Sequence, residues 1–364
     1  MNEKAVAFMF DASEYSQLVY AGTDRAFDRL SRQRTLSRQE WQSAFREAIS
    51  EALGLHGMAA LDGQPQAFGR VSEDDPGFRR ETIEVISESS VVIPCTLLLP
   101  KTEVPPGGFP WILGLHGHHP RGRAPWAGIY ENAQEQAQVE EAGEDVAIQA
   151  VRRGYAAFIP ELRGFGQLAR REDVQAGEKN SCHDLSRRAL LLGRTLMGER
   201  VYDTRRVLDY ALSRGDLNPH QWNLLGFSGG GTAAMYVAAL DDRVPRVILA
   251  SSFCTYRDSI LSRSHCPCNV VPGILRLGEM ADIAGLISPR SLAVIHGCND
   301  AIYPMDGTAE AFSGLQQIYA LDQGRDRCRL YAVEGRHQFF AESVWTAILE
   351  QAGEVDVQDG TLGV

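Results

Sequence analysis

Several things this chain lacks narrow what it can be. The apolar stretch Ala5–Phe10 is only six residues long. That is far short of the roughly 20 a membrane-spanning helix needs, and too short for the apolar core of a secretory signal. The expected location is therefore cytoplasmic, with no membrane partner. No Lys/Arg block offsets a formal net charge of −11, which argues against nucleic acid or an anionic membrane surface as partner. Cysteine is sparse and odd in number, seven in 364 residues, so reduced thiols are expected in place of a disulfide framework. There is no low-complexity tract and no internal repeat. What remains is ordinary globular composition, 44% apolar and 23% charged, in a chain long enough for one large domain with extensions.

Residues 1–75 read as a helical extension. Ser37-Arg38-Gln39-Glu40 is a capping box, with Leu36 and Trp41 placed as a hydrophobic staple. The helix it opens should run to Leu53 and stop at Gly54. Asp11 to Leu30 reads as another helix, and Asp62–Gly77, rich in Gly, Pro, Asp and Ser, as a linker. These helices are candidates to cap the site or to join copies in a homo-oligomer; packing on the main domain is the simpler account.

Residues 76–364 form the second unit. Glu81–Ser87 and Val91–Leu99 read as an antiparallel pair at a sheet edge. Apolar runs then alternate with helical stretches. The runs are Trp111–Leu115, Ala156–Leu162, Trp222–Phe227, Arg246–Phe253, Ser291–Gly297 and Cys328–Val333. Between them lie helical patterns over Val139–Arg153, Leu196–Ser213, Gly230–Leu240 and Asp306–Leu321, and Ala341–Gln351 closes the chain. This pattern predicts an α/β fold with a mostly parallel sheet and helices on both faces. Ligands of such sheets sit beyond the carboxyl ends of the strands. Ser251–Ser288, between the sixth and seventh strands, reads as an insertion over the site, partly helical around Ile274–Ile283, and Gln167–Arg194 as a second one.

Gly226-Phe227-Ser228-Gly229-Gly230 fits G-x-S-x-G between a predicted strand and a predicted helix, the setting a nucleophile elbow needs. A Gly-rich loop packing a helix on a strand would give the same string, so the partners decide. His337, after the last strand, is the candidate base, and Asp300, after the preceding strand, the candidate acid that orients it. Asp306 and Asp258 are rival acids; Asp306 is better explained as a helix N-cap. The oxyanion donors are expected to be the N–H groups of Gly229 and of His118, the latter in "LHGHHP". The order Ser228, Asp300, His337 is that of α/β-hydrolases.

On these residues the chain from Glu81 to Gln351 resembles the α/β-hydrolase superfamily. It is most similar to the bacterial branch of dienelactone hydrolase-like and acetyl xylan esterase/cephalosporin-C deacetylase-like proteins. The resemblance lies in "LHGHH", "GYAAFIPELRGFG", "GERVYDTRRVLDYALSRGDLNP", "GFSGGG", "PRSLAVIHGCND" and "GRHQF". Glu161 stands where the family's strand-end motif usually has Asp, and the "HCPCN" insertion is a second departure. The resemblance implies hydrolysis of a carboxylic ester, an acetyl-type short acyl ester first, on a small-molecule substrate. A prolyl-oligopeptidase-like peptidase and a non-catalytic binding protein of the same fold are the alternatives. Neither a metal nor an organic cofactor is called for.

Four further side chains are candidate substrate contacts: His119, Trp126 and Tyr130 near the oxyanion loop, and Arg163 beyond a strand end. For Arg163 a structural ion pair is the competing account. His265-Cys266-Pro267-Cys268, with Cys182-His183 elsewhere, invites a metal reading, but Cys-x-Cys is not the usual zinc spacing, so loop packing is expected there.

Overall fold

The computed structural model describes residues 11–58 and 65–353. The Ala5–Phe10 stretch and positions 62–64 of the expected linker lie outside the described residues. Nine strands among them form one sheet: β1 (Ala67–Asp74), β2 (Phe78–Glu88), β3 (Val91–Pro100), β4 (Phe109–Leu115), β5 (Ala156–Pro160), β6 (Leu217–Phe227), β7 (Arg246–Ala250), β8 (Ser291–Gly297) and β9 (Cys328–Val333). The spatial order is β1-β2-β3-β5-β4-β6-β7-β8-β9. β1, β2, β3 and β5 pair antiparallel in turn, and all pairs from β5 through β4 to β9 are parallel.

The helices are α1 (Ala12–Ala21), α2 (Arg38–Leu53), α3 (Ala133–Glu141), α4 (Val146–Arg152), α5 (Arg171–Gln175), α6 (Cys182–Leu191), α7 (Leu196–Leu212), α8 (Gly229–Leu240), α9 (Met280–Gly285), α10 (Met305–Leu321) and α11 (Ala341–Ala352). Alternation along each strand splits the core in two. Trp111, Leu113 and Leu115 face the larger layer, with α2, α7, α8, α9 and α10. Ile112, between them, faces α4 and α11. The continuous apolar runs in the sequence are the consequence of covering both faces.

The N-terminal cap is as expected: Ser37 and Glu40 form a reciprocal capping box, and Gly54 closes α2 in the left-handed conformation. The buried face of α2, Trp41, Phe45, Ile49 and Leu53, belongs to the larger core layer. Phe45→Ala should therefore cost about 3–5 kcal/mol, visible as a lower urea midpoint for the whole chain and not as loss of a separate early transition.

Four expectations need correction. The expected linker contains β1, an edge strand pairing with β2 from Ala67↔Val85 to Asp74↔Arg79; an edge strand needs little apolar alternation. With β1 counted, the Ser251–Ser288 insertion follows the seventh strand. The helix expected over Asp11–Leu30 ends at Ala21, where Gly22 caps it. The one expected over Val139–Arg153 is two helices, broken at Gly143, whose φ is 68°; a Cβ there would lie 2.7 Å from that of Ala341.

Candidate active site

β6 delivers Ser228 at the centre of the sheet. Its backbone has φ 51° and ψ −120°, immediately before α8, a conformation a non-glycine residue keeps only when its surroundings enforce it. Here the surroundings do. The Ser228 N–H donates to the Ala250 carbonyl at 2.9 Å. A Cβ on Gly226 would lie 2.4 Å from the Gly230 carbonyl oxygen, and one on Gly230 2.2 Å from that of Leu115. The flanking glycines thus let α8 close onto the ends of β6 and β4.

His337 and Asp300 come from the loops after β9 and β8. His337 Nε2 is 2.9 Å from Ser228 Oγ, and His337 Nδ1 is 2.7 Å from Asp300 Oδ2. The other carboxylate oxygen of Asp300 accepts the N–H groups of Ile302 (2.8 Å) and Tyr303 (3.0 Å). Burial pushes the Asp300 carboxyl up, but the bond to His337, its charge and the two N–H donors outweigh this and hold it below the ordinary carboxylate range. The His337 ring lies between Phe227 and Tyr303, with centroids 5.6 and 5.9 Å away and interplanar angles of 24° and 19°. Sequence reading did not foresee this sandwich. The rival acids are occupied elsewhere. Asp258 binds Arg257 and Thr255. Asp306 sits in the first turn of α10, where Pro304 holds the N-cap position expected for it.

The serine opens into a cavity of about 390 Å³ whose lining includes His118, Glu144, His265, Asn269, Tyr303 and Gln338. Gly229, as the first residue of α8, carries an N–H the helix itself cannot satisfy. The His118 ring stands against it: a Cβ on Gly229 would be 2.6 Å from His118 Cε1. Behind this loop, fully buried His116 has Nδ1 2.8 Å from the Gly117 carbonyl oxygen and Nε2 3.1 Å from Glu161. Glu161 also pairs with Arg123 at 3.0 Å. The replacement of Asp by Glu at this strand end therefore supplies a brace for the loop.

The four candidate substrate contacts do not line this cavity. Trp126 is buried against Phe339. His119 accepts the Arg121 N–H, and burial pushes its pKa down. Tyr130 lies half-buried near Asp145, and burial raises its pKa to about 12. Arg163 is locked by Glu88 (2.8 Å), Asp203 (2.7 Å) and Glu199 (3.3 Å), the structural account weighed above. Arg163→Met should leave these acids uncompensated and cost about 3–5 kcal/mol. Thermal denaturation should show the loss, while KM for an ester substrate stays unchanged.

Cys182, Cys266 and Cys268 converge with His118, their ligand atoms all within 4.8 Å of one another. Neither histidine adjacent to these cysteines in sequence takes part; His265 instead contacts Ser259 and the Ile302 carbonyl. The spacing hid the cluster because its members come from three segments.

Comparison with known proteins places these features in context. A family model described as alpha/beta hydrolase fold matches residues 127–264. The "Putative hydrolase YtaP" of Bacillus subtilis is 29% identical over 178 residues, 48% of this chain and 56% of that protein; the match spans little more than half of that relative. Among solved structures, a "putative acetyl xylan esterase" from Bacteroides fragilis superposes with a TM-score of 0.73 at 17% identity, over 91% of this chain and 84% of that one. A glucuronoyl esterase from Solibacter usitatus gives 0.62 at 15% identity, over 86% and 91%. No described helix is long and apolar enough to cross a membrane.

Proposed function

We propose that this chain, which has the α/β-hydrolase fold, is a serine hydrolase that cleaves a carboxylic ester through an acyl-enzyme. The observation that carries the reading is the unbroken chain from Asp300 through His337 to Ser228 Oγ, ending in a cavity. His337 Nε2 takes the Ser228 proton as Oγ attacks the ester carbonyl. The N–H groups of Gly229 and His118 hold the developing oxyanion, and Asp300 keeps the proton of His337 on Nδ1. The imidazolium then gives its Nε2 proton to the leaving alkoxide. A water, activated by the same nitrogen, hydrolyses the acyl-enzyme and restores Ser228.

The substrate we favour joins a short acyl group, acetate first, to a polar alcohol. The modest size of the cavity and the polar side chains of Glu144, His265, Asn269 and Gln338 in its lining support this. So does the likeness to structures named as acetyl xylan and glucuronoyl esterases. The test is a fluorophosphonate, which should add one phosphonyl group to Ser228 by mass spectrometry, combined with a panel of p-nitrophenyl esters and aminoacyl anilides. Acetate should turn over faster than longer chains. Anilide rates above ester rates would replace the ester reading by peptidase chemistry, and an unlabelled Ser228 would remove the mechanism.

A further inference from the structure

The cluster beside the active site has the composition of a metal centre. Cys182 begins α6, Cys266 and Cys268 lie at a short 3-10 turn in the insertion after β7, and His118 belongs to the loop after β4. His118 Nε2 is 3.3 Å from Cys268 Sγ. Three sulfurs and one imidazole nitrogen are the donor set of Cys3His zinc sites, in which Zn–S bonds of about 2.3 Å place tetrahedral ligands just under 4 Å apart. The spacing here needs only slight contraction.

A second observation points the same way. Arg200 is fully buried. Its Nη2 lies 3.2 Å from Cys182 Sγ, and its Nε and Nη2 donate to the Arg163 carbonyl. Its Nη1 has no hydrogen-bond partner among the described residues, and the guanidinium carbon lies 4.9 Å from the centroid of the Phe165 ring. Unpaired buried cations are costly. A divalent ion with three thiolates and a neutral imidazole carries one net negative charge, which Arg200 would balance.

We infer that Cys182, Cys266, Cys268 and His118 bind one structural zinc ion, which clamps the loop after β4 to α6 and to the insertion. Binding displaces the three thiol protons to solvent. Four protein ligands close the coordination sphere, so the ion holds structure and activates no water. Its effect reaches the active site through His118, whose ring stands against Gly229.

The test is independent of the ester reading. The full chain, purified from zinc-replete medium without a metal-affinity step, should contain about one zinc per chain by elemental analysis. Cobalt exchange should give the intense visible bands of a tetrahedral centre and a thiolate-to-cobalt charge-transfer band. Cys182→Ser and Cys268→Ser should each lose both signals, while Cys298→Ser, at an exposed cysteine outside the cluster, keeps them. Arg200→Met should weaken zinc affinity about 10–100-fold. Should a cysteine variant fail to fold, zinc content and the cobalt spectrum of the unsubstituted chain decide alone. Protein that holds no zinc and gives no cobalt bands overturns the inference. So does metal retained in both cysteine variants, or a disulfide among the three cysteines in freshly purified protein.

Discussion

Ser228→Ala should lower kcat for p-nitrophenyl acetate by at least about 10⁴-fold, with KM little changed. The asymmetry follows from the geometry. In the proposed mechanism, removing Oγ deletes the atom that would form the acyl-enzyme, while the cavity lining and the proposed oxyanion donors, the Gly229 and His118 N–H groups, remain. Those donors should sustain a small residual rate over water, as oxyanion stabilisation does once a nucleophile is gone. His337→Ala should cost about as much, and the double variant little more than either single one, because the two act as one unit. Steady-state kinetics of the three variants read this directly. Ester turnover unchanged by Ser228→Ala would place the chemistry elsewhere. Independent, multiplying losses would show that the 2.9 Å contact between His337 and Ser228 is not used in the reaction.

The proposed reacting groups stand out in the sequence because each follows a strand end. Apolar runs locate the strands, and in a parallel sheet their carboxyl ends share one edge; Ser228, Asp300 and His337 follow β6, β8 and β9 there. The capping box at Ser37 was equally legible, since its chemistry is complete within four residues. What escaped lacks a local signature. β1 pairs on one side only, and Gly69, Ser72 and Asp74 interrupt any apolar alternation along it. The Phe227–His337–Tyr303 stack and the Cys182–Cys266–Cys268–His118 cluster join residues far apart in sequence. Arg163 marks the boundary. Its place beyond a strand end suggested either a substrate or an ion pair, and only the packing of Glu88, Glu199 and Asp203 around it separates the two.

Asp300→Asn should reduce kcat by about 10⁴-fold while leaving the fold intact. In the native site the His337 Nδ1–H donates to Asp300 Oδ2 at 2.7 Å, so Nε2 is left with a lone pair facing Ser228 Oγ. An asparagine turned to keep the Ile302 and Tyr303 N–H bonds on its carbonyl oxygen must point its NH₂ at Nδ1. The imidazole proton then moves to Nε2, where it faces the serine and cannot accept from it. The same substitution changes acid stability with a definite sign. The Asp300 carboxyl is held below its ordinary value in the folded chain, so the ionised form is bound more tightly than in the unfolded chain. This stabilisation is complete above the unfolded carboxylate pKa of about 3.9 and is lost as pH falls through the lower folded value. Asp300→Asn has no such proton to take up. Its stability should fall less steeply than the native chain's over that acid window, while at neutral pH it lacks the charge-assisted bond and is the less stable of the two. Urea midpoints measured from pH 7 down through the carboxylate range should therefore converge, and parallel curves would mean that the Asp300–His337 bond does not carry the charge assigned to it.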